Sequence, residues 1–151
     1  MLQVYAPSDG RVISLSDVND STFASQLVGP GVGIQPFDGR QAVVAPVDGK
    51  LLKVDPHAFI VLVDGSIGVL VHIGINTVRI KDTPFEVLVA AGDVVRAGDP
   101  IVRWDPATIT DPGMERSVLT VLMDAPPDTT TCDVVGQDVR AGELLFSLGA
   151  S

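Results

Sequence analysis

The chain has 151 residues, of which 46% are apolar, and it carries a formal net charge of −9. This length predicts one folded domain over residues 1–151, and the apolar content excludes a disordered chain. The acidic charge argues against nucleic-acid binding, and no apolar run approaches the roughly 20 residues of a membrane-spanning helix.

Turn residues recur along the whole chain. The sequence has 15 glycines and 11 prolines, spaced between apolar runs rich in Val, Ile and Leu. This pattern is typical of short strands joined by tight turns, and it predicts an all-β sandwich or barrel. Two stretches alone look helical: residues 21–27, with Ser21 as N-cap, and residues 105–114, where Pro106 fits a first helical turn.

Two short motifs each occur twice. Residues 4–15 read VYAPSDGRVISL and residues 43–54 read VVAPVDGKLLKV, while residues 95–101 read VRAGDPI and residues 139–145 read VRAGELL. Each copy predicts a strand, a glycine turn and a second strand. The paired copies indicate an internal duplication, in which two interleaved halves close around one core as a barrel-sandwich hybrid.

The two histidines of the chain lie on either side of a hairpin signal. His57 and His72 both stand in apolar runs, and Asp64 and Gly65 lie between them. If these two residues form the loop, His57 pairs directly with His72 and the Cβ atoms lie about 5 Å apart. A three-residue loop would shift the register by one and put the rings on opposite faces.

The surroundings of the histidines favour chemistry, although a histidine in an apolar strand is often a core residue. Asp55 and Pro56 predict a rigid turn before His57, and Gly74 leaves backbone N–H groups open to a ligand. Two imidazoles supply half of a structural zinc site, and no serine lies in a nucleophile elbow. Phosphoryl transfer fits the pair best, with one neutral imidazole as nucleophile and the other stabilising the phosphoryl oxygens.

Several motifs resemble one family of phosphate carriers. GVLVHIGINTV at residues 68–78 is similar to the active-histidine motif of glucose-type enzyme IIA domains of the bacterial sugar phosphotransferase system. PHAF at residues 56–59, APVDG at residues 45–49 and FASQLVGPGVGI at residues 23–34 also fit the family pattern. The resemblance covers about residues 3–148.

The resemblance implies an antiparallel β-sandwich of the duplicated hybrid type and a phosphotransferase role. His72 would accept a phosphoryl group from the phosphocarrier protein HPr, on Nε2, and pass it to a cysteine of the sugar-specific IIB domain. His57 would stabilise the phosphoryl group without being phosphorylated. No cofactor would be obligatory, although a zinc ion can join the two histidines at a partner interface. The docking surface would include Phe23, Leu27 and Val28.

Two positions depart from the family pattern near the histidines. Asn76 stands where the family has Asp, which removes a carboxylate from the surroundings formed with Gly74. Asp55 stands where the family often has Thr, and we hypothesise that it accepts a hydrogen bond from His57 and favours its charged form.

The resemblance also predicts where the chain acts. We expect a cytoplasmic monomer that associates with a membrane permease through IIB, without a membrane-binding amino-terminal helix and without IIB or IIC sequence. Some family members also bind regulated enzymes or transporters, and the sugar stays open among glucose, N-acetylglucosamine, β-glucosides and trehalose.

Three alternatives share this hybrid architecture. A biotinyl or lipoyl carrier needs a lysine at a hairpin tip, and Lys50, Lys53 and Lys81 do not lie in such a tip. A zinc endopeptidase of the lysostaphin type needs more histidines than this chain has. A catalytically silent regulatory protein on the same fold remains compatible with Asn76.

Overall fold

Short antiparallel strands make up most of the regular structure. The computed structural model describes residues 2–18, 20–75, 85–110, 114–123 and 125–148. Within these ranges the helices are one α-helical turn, α1 (Ser21–Ala24), and two 3-10 turns at Leu15–Asp17 and Pro106–Thr108. The predicted all-β fold with short helical turns is therefore confirmed. The strands are β1 (Leu2–Tyr5), β2 (Gly10–Ser14), β3 (Gly31–Pro36), β4 (Gln41–Val44), β5 (Gly49–Asp55), β6 (Ala58–Val63), β7 (Ile67–Ile75), β8 (Glu86–Val87), β9 (Val94–Val95), β10 (Pro100–Trp104), β11 (Glu115–Leu122), β12 (Thr130–Thr131), β13 (Asp138–Val139) and β14 (Leu144–Leu148).

The described strands form three antiparallel sheets. The largest has the order β13-β2-β3-β11-β7-β6-β5-β9, and the two smaller sheets have the orders β1-β14-β12 and β4-β10-β8. Side chains alternate between faces along β7, so Val69 and Val71 enter the main core, whereas Leu70 packs on the opposite face of the large sheet. A second apolar cluster covers that face beside α1, and its buried members are Leu15, Val18, Phe23, Ile75, Leu119 and Val121.

The internal duplication is visible in the hydrogen bonds of the turns. Asp48 Oδ1 accepts a hydrogen bond from the backbone N–H of Ala97 at 2.8 Å. Asp9 Oδ1, at the equivalent place in the first repeat, accepts one from the N–H of Ala141 at 2.7 Å. Each A-P-x-D-G turn is therefore closed by one of the R-A-G motifs, which explains why both motifs occur twice.

Two crosswise hydrogen bonds join the halves. The N–H of Tyr5 donates to Pro46 O, and the N–H of Val44 donates to Pro7 O, both at 2.8 Å. Because each half donates to the other half's repeat turn, the halves are interleaved as the repeats predict.

Replacement of Asp48 by alanine tests the contribution of a repeat turn to stability. The change leaves the Ala97 N–H without its charged acceptor, and we expect the free energy of unfolding to fall by about 1 kcal/mol. Asp48→Asn keeps a carbonyl acceptor and should lose less. Urea unfolding measures both, with Asp138→Ala as the exposed control on β13. Equal stability of wild type and Asp48→Ala would contradict the role of the turn bond.

Helix α1 is capped one residue earlier than the sequence predicts. The N-cap is Asp20, not Ser21, because Asp20 Oδ1 accepts hydrogen bonds from the N–H of Thr22 at 2.9 Å and of Phe23 at 3.4 Å. A carboxylate accepts these bonds more strongly than a hydroxyl. At the second stretch, Pro106 lies in the first helical turn as predicted.

The register of the β6–β7 hairpin differs from the prediction. Asp64 and Gly65 have φ of 50° and 70°, and the N–H of Ser66 donates to Val63 O at 3.0 Å, as in a two-residue turn. The ladder nevertheless begins with Val63 opposite Ile67, because Ser66 is an extra residue in the loop. His72 therefore pairs with Ala58, and the predicted direct pairing of His57 with His72 is wrong.

Candidate functional site

His72 lies on the outer face of the large sheet, under the turn that carries α1. It pairs with Ala58 on β6 and with Leu119 on β11, so both neighbouring strands fix its backbone. The Phe23 ring packs against the imidazole, with ring centroids 5.2 Å apart. A half-buried histidine is thus held between a strand and an aromatic side chain.

His57 reaches His72 from a turn and not from a strand. The β5–β6 connection consists of Pro56 and His57, since Asp55 pairs with Ala58. The ring centroids of His57 and His72 lie 5.4 Å apart, with an interplanar angle of 73°. The carbonyl oxygen of His57 accepts a hydrogen bond from the N–H of Ile73 at 2.6 Å, which anchors the turn to β7. The rings meet despite the shifted register because a turn residue is free of the alternation between faces.

One backbone contact orients the His72 imidazole. His72 Nδ1 lies 2.6 Å from the carbonyl oxygen of Gly74, and a carbonyl can only accept, so Nδ1 carries the proton. Gly74 has φ of 78°, a left-handed conformation that glycine adopts without a Cβ clash. In the neutral ring the unprotonated nitrogen is then Nε2, whose lone pair is available to an electrophile.

Burial holds His72 in its neutral form. Desolvation is the main cause that lowers the pKa of His72 below the ordinary 6.5, and the charge of His57 lowers it further. The hydrogen bond to Gly74 and the carboxylate of Asp20 act in the opposite direction and raise it. The net direction is downward, so the nucleophilic form predominates at neutral pH.

The Asp55 side chain does not form the hydrogen bond that the sequence suggested. Its Oδ2 lies 3.5 Å from Lys53 Nζ, and no hydrogen bond joins it to His57 among the described residues. Lys53 and Asp55 are two residues apart on β5 and share a face, which favours this ion pair over a contact with the turn. Lys53, Asp55 and His57 line one shallow depression beside Leu70.

The predicted docking residues differ in exposure. Leu27 is 79% exposed, whereas Phe23 is 8% exposed because its ring packs in the second apolar cluster and against His72. Val28 is partly buried and packs against the second apolar cluster. An exposed leucine four residues after Phe23, whose ring packs against His72, fits a protein-docking surface. Asn76 lies outside the described residues.

Two contacts of the site were missed by sequence reasoning. Asp20 caps α1 and acts electrostatically on His72, and an Asp before a short Ser-Thr-Phe run is a helix-start signal that could have revealed it. The acceptor role of the Gly74 carbonyl had no signal beyond the glycine itself.

Removal of the Phe23 ring should change the titration of His72. Phe23→Ala exposes the imidazole to water, so we expect the pKa of His72 to rise towards 6.5. An NMR pH titration of the ring protons measures this shift. Leu27→Ala is the matched control, because Leu27 projects into solvent and should leave the titration unchanged. An unchanged or lower pKa in Phe23→Ala would show that burial by this ring is not the cause.

The described residues contain no group of three or more His, Cys, Asp or Glu side chains that could hold a metal ion. The two imidazoles could contribute two ligands, and a partner would have to supply the others.

No helix within the described ranges has the length and apolar character needed to cross a bilayer.

Known proteins share this fold and these motifs. A family model described as the phosphoenolpyruvate-dependent sugar phosphotransferase system, EIIA 1, matches residues 2–126. The glucose-specific EIIA component of Staphylococcus epidermidis (strain RP62A) is 40% identical over 106 residues, which are 69% of this chain and 63% of that protein. The corresponding Staphylococcus aureus (strain COL) protein is 41% identical over 106 residues, with the same coverage of 69% and 63%. This chain therefore spans less than two thirds of the length of these relatives.

Two further similarities concern a larger protein and a solved structure. The glucose-specific EIICBA component of Streptococcus pneumoniae serotype 4 is 39% identical over 121 residues, which are 79% of this chain and 16% of that protein. The structure of glucose permease IIA from Mycoplasma capricolum superposes with a TM-score of 0.81 at 30% identity, covering 96% of this chain and 94% of the other.

Proposed function

Because this chain belongs to the EIIA 1 family of the phosphoenolpyruvate-dependent sugar phosphotransferase system, we propose that it carries a phosphoryl group on His72 between two protein partners. The donor is phospho-HPr and the acceptor is a cysteine of a IIB domain. The observation that carries the proposal is the hydrogen bond from Nδ1 to the Gly74 carbonyl, with 2.6 Å between nitrogen and oxygen, which leaves Nε2 of a half-buried imidazole as the nucleophile.

Two displacements at phosphorus make up the proposed cycle. In the first, the Nε2 lone pair of His72 bonds to phosphorus while the nitrogen–phosphorus bond of the donor breaks and the donor imidazole keeps that electron pair. In the second, a thiolate sulfur of IIB bonds to phosphorus and Nε2 recovers its pair. The proton stays on Nδ1, hydrogen-bonded to the Gly74 carbonyl, throughout the cycle, so His72 needs no separate base.

In this proposal His57 stabilises the phosphoryl group on His72 by a hydrogen bond. Its ring meets His72 nearly edge to face at a centroid distance of 5.4 Å, so its N–H can donate to phosphoryl oxygens on Nε2. The anchor from Ile73 to the His57 carbonyl keeps the ring in place before the group arrives, which lowers the reorganisation needed during transfer.

The partners and the sugar follow from the same family membership. Leu27, Phe23 and Val28 would form the apolar centre of the docking surface. The net charge of −9 would speed the encounter with a basic partner. We propose that the chain, as one domain over residues 1–151, works as a cytoplasmic monomer and meets a membrane permease through IIB. The names of the relatives make glucose the sugar to test first.

Reconstitution of the transfer tests this function. The purified protein is mixed with phosphoenolpyruvate, enzyme I and HPr, and its intact mass is measured before and after a IIB domain is added. We expect the gain of one acid-labile phosphoryl group, which then moves to IIB. No gain of mass with the cognate HPr would refute the transfer role and favour a regulatory protein that binds through the same surface.

A further inference from the structure

The helical turn that carries Phe23 ends in a conformation that normally favours glycine. The N–H of Gln26 donates to Phe23 O at 2.9 Å and the N–H of Leu27 donates to Thr22 O at 3.1 Å. These two bonds form a Schellman motif, whose left-handed position is here Gln26 with φ of 61°. A glutamine pays a steric cost at this position that a glycine would avoid, which points to a use for its side chain.

The Gln26 side chain forms a reciprocal pair with a distant residue. Gln26 Nε2 donates to Asp128 Oδ1 at 2.9 Å, and the N–H of Asp128 donates to Gln26 Oε1 at 2.8 Å. Asp128 also has a left-handed backbone, with φ of 62°. Two strained residues, 102 positions apart, thus join by two hydrogen bonds. We name this pair the Gln26–Asp128 clasp.

The clasp connects the site to a different sheet. Asp128 lies two residues before β12, and β12 pairs with β14 in one of the three-stranded sheets. Helix α1 belongs to the face of the large sheet that carries His72, so the clasp bridges two sheets. A helical turn of four residues is not stable in isolation, and its position depends on such contacts.

Apolar packing and the clasp both act at the end of α1, where Ala24 and Val28 pack against the second apolar cluster. Both clasp residues line a cavity of about 300 Å³, together with Ala24, Val32 and Cys132 among others. Asp20 fixes the beginning of α1 through its two N-cap bonds. The clasp is therefore the side-chain hydrogen-bonded contact that joins the end of this turn to Asp128 beside the cavity.

We propose that Gln26 and Asp128 are positioning residues for phosphoryl transfer, because their clasp fixes α1 and thereby holds the Phe23 ring against His72. This inference rests on the proposed function of His72. The Phe23 ring lies 5.2 Å from the imidazole, and Leu27 follows Gln26 directly, so a displaced turn alters both the covering of the nucleophile and the docking surface.

Glycine substitutions distinguish the effect of losing the clasp hydrogen bonds from the effect of backbone strain. Gln26→Gly and Asp128→Gly each relieve a left-handed residue and remove a clasp side chain, so the relief of strain should offset part of the lost hydrogen bonding and the variants should stay folded. We expect kcat/KM for transfer from phospho-HPr to fall about fivefold, mainly through a higher KM, which corresponds to about 1 kcal/mol. The double variant should be no slower than either single variant, because both changes break the same pair. Asp128→Asn keeps the acceptor oxygen and tolerates the left-handed backbone, so it should rescue transfer.

The matched control is Asp64→Gly. Asp64 is exposed and also has a left-handed backbone, with φ of 50°, but it lies in the β6–β7 turn and forms no hydrogen bond with either clasp residue. This variant should transfer as fast as wild type. Slower transfer in Asp64→Gly to the same extent as in the clasp variants would overturn the proposal, because a general effect of glycine would explain both.

An NMR measurement tests the clasp without any partner. The ring protons of His72 in the unphosphorylated protein should shift in Gln26→Gly and Asp128→Gly, because the Phe23 ring moves, and should match wild type in Asp128→Asn and Asp64→Gly. Wild-type ring signals together with wild-type kcat/KM in both clasp variants would overturn the inference. If no variant accepts a phosphoryl group, wild type included, while the ring signals shift in the clasp variants alone, the proposed function fails and the positioning of Phe23 by the clasp stands.

Discussion

Replacement of His72 by glutamine is expected to reduce phosphoryl acceptance from HPr by at least about 10⁴-fold, to an undetectable level. The glutamine amide can still donate a hydrogen bond towards the Gly74 carbonyl, but its nitrogen lone pair is delocalised and cannot attack phosphorus. Burial, the Gly74 contact and the Phe23 ring all act on His72, and these contacts are the reason for placing the nucleophile at its Nε2. Intact-mass measurement after incubation with phospho-HPr gives the result directly.

The control for this variant is the integrity of the surrounding sheet. His72 pairs with Leu119 and Ala58 through backbone atoms, which glutamine retains, so urea unfolding should remain cooperative. A stable phosphoryl group found on folded His72→Gln would place the nucleophile elsewhere in the chain. In that case His57 would be the first residue to substitute, because it is the only other histidine.

Replacement of His57 by alanine should leave a protein that is still phosphorylated but passes the group on slowly. The nucleophile remains, so the variant gains one phosphoryl group on standing with phospho-HPr. The imidazole 5.4 Å from His72 no longer donates to the phosphoryl oxygens in the transition state, so transfer to IIB should fall about 10²- to 10³-fold.

Single-turnover kinetics measure this step in isolation. The phosphorylated variant is freed of HPr, mixed with a IIB domain, and followed by the loss of its phosphoryl group. His57→Gln provides a matched comparison, since its amide retains an N–H donor and should recover part of the rate. Wild-type transfer rates in His57→Ala would reduce His57 to a packing partner of the nucleophile.

The general fold was predictable because turns and repeats carry strong local signals. The A-P-x-D-G and R-A-G motifs occur twice, and their Asp side chains close equivalent turns in both halves. Glycine and proline mark where strands end whatever the tertiary context, which explains why an all-β fold could be predicted. The start of α1 was harder to predict, because Asp20 and Ser21 are both residue types that cap helices. In the structure Asp20 is the N-cap.

The approach of the two histidines was predicted correctly, but from a wrong register. Asp64 and Gly65 do form the expected turn, and whether Ser66 joins the ladder depends on strand pairing that a local motif does not encode. The rings meet because His57 lies in the turn after Pro56, outside the alternation of β6. Spacing alone could not distinguish these two routes to the same contact.

The environment of the site was less accessible from the sequence than its residues. An ion pair between Lys53 and Asp55 replaced the expected Asp55–His57 bond, because residues two apart on a strand share a face. The Gln26–Asp128 pair spans 102 residues and has no local motif. Such long-range contacts depend on the completed tertiary structure, which spacing along one chain does not reveal.

The interleaving of the two repeats bears on how the protein is made. The turn at Asp9 is closed by Ala141, and the strand at Tyr5 donates to Pro46. During synthesis on the ribosome the turn of the first repeat therefore cannot close until Ala141 has been synthesised. Such high contact order slows folding and leaves early strands exposed to wrong partners. The hydrogen bond that joins the turn of the first repeat to the last R-A-G motif can therefore form only after that motif has left the ribosome, so the nascent chain folds late.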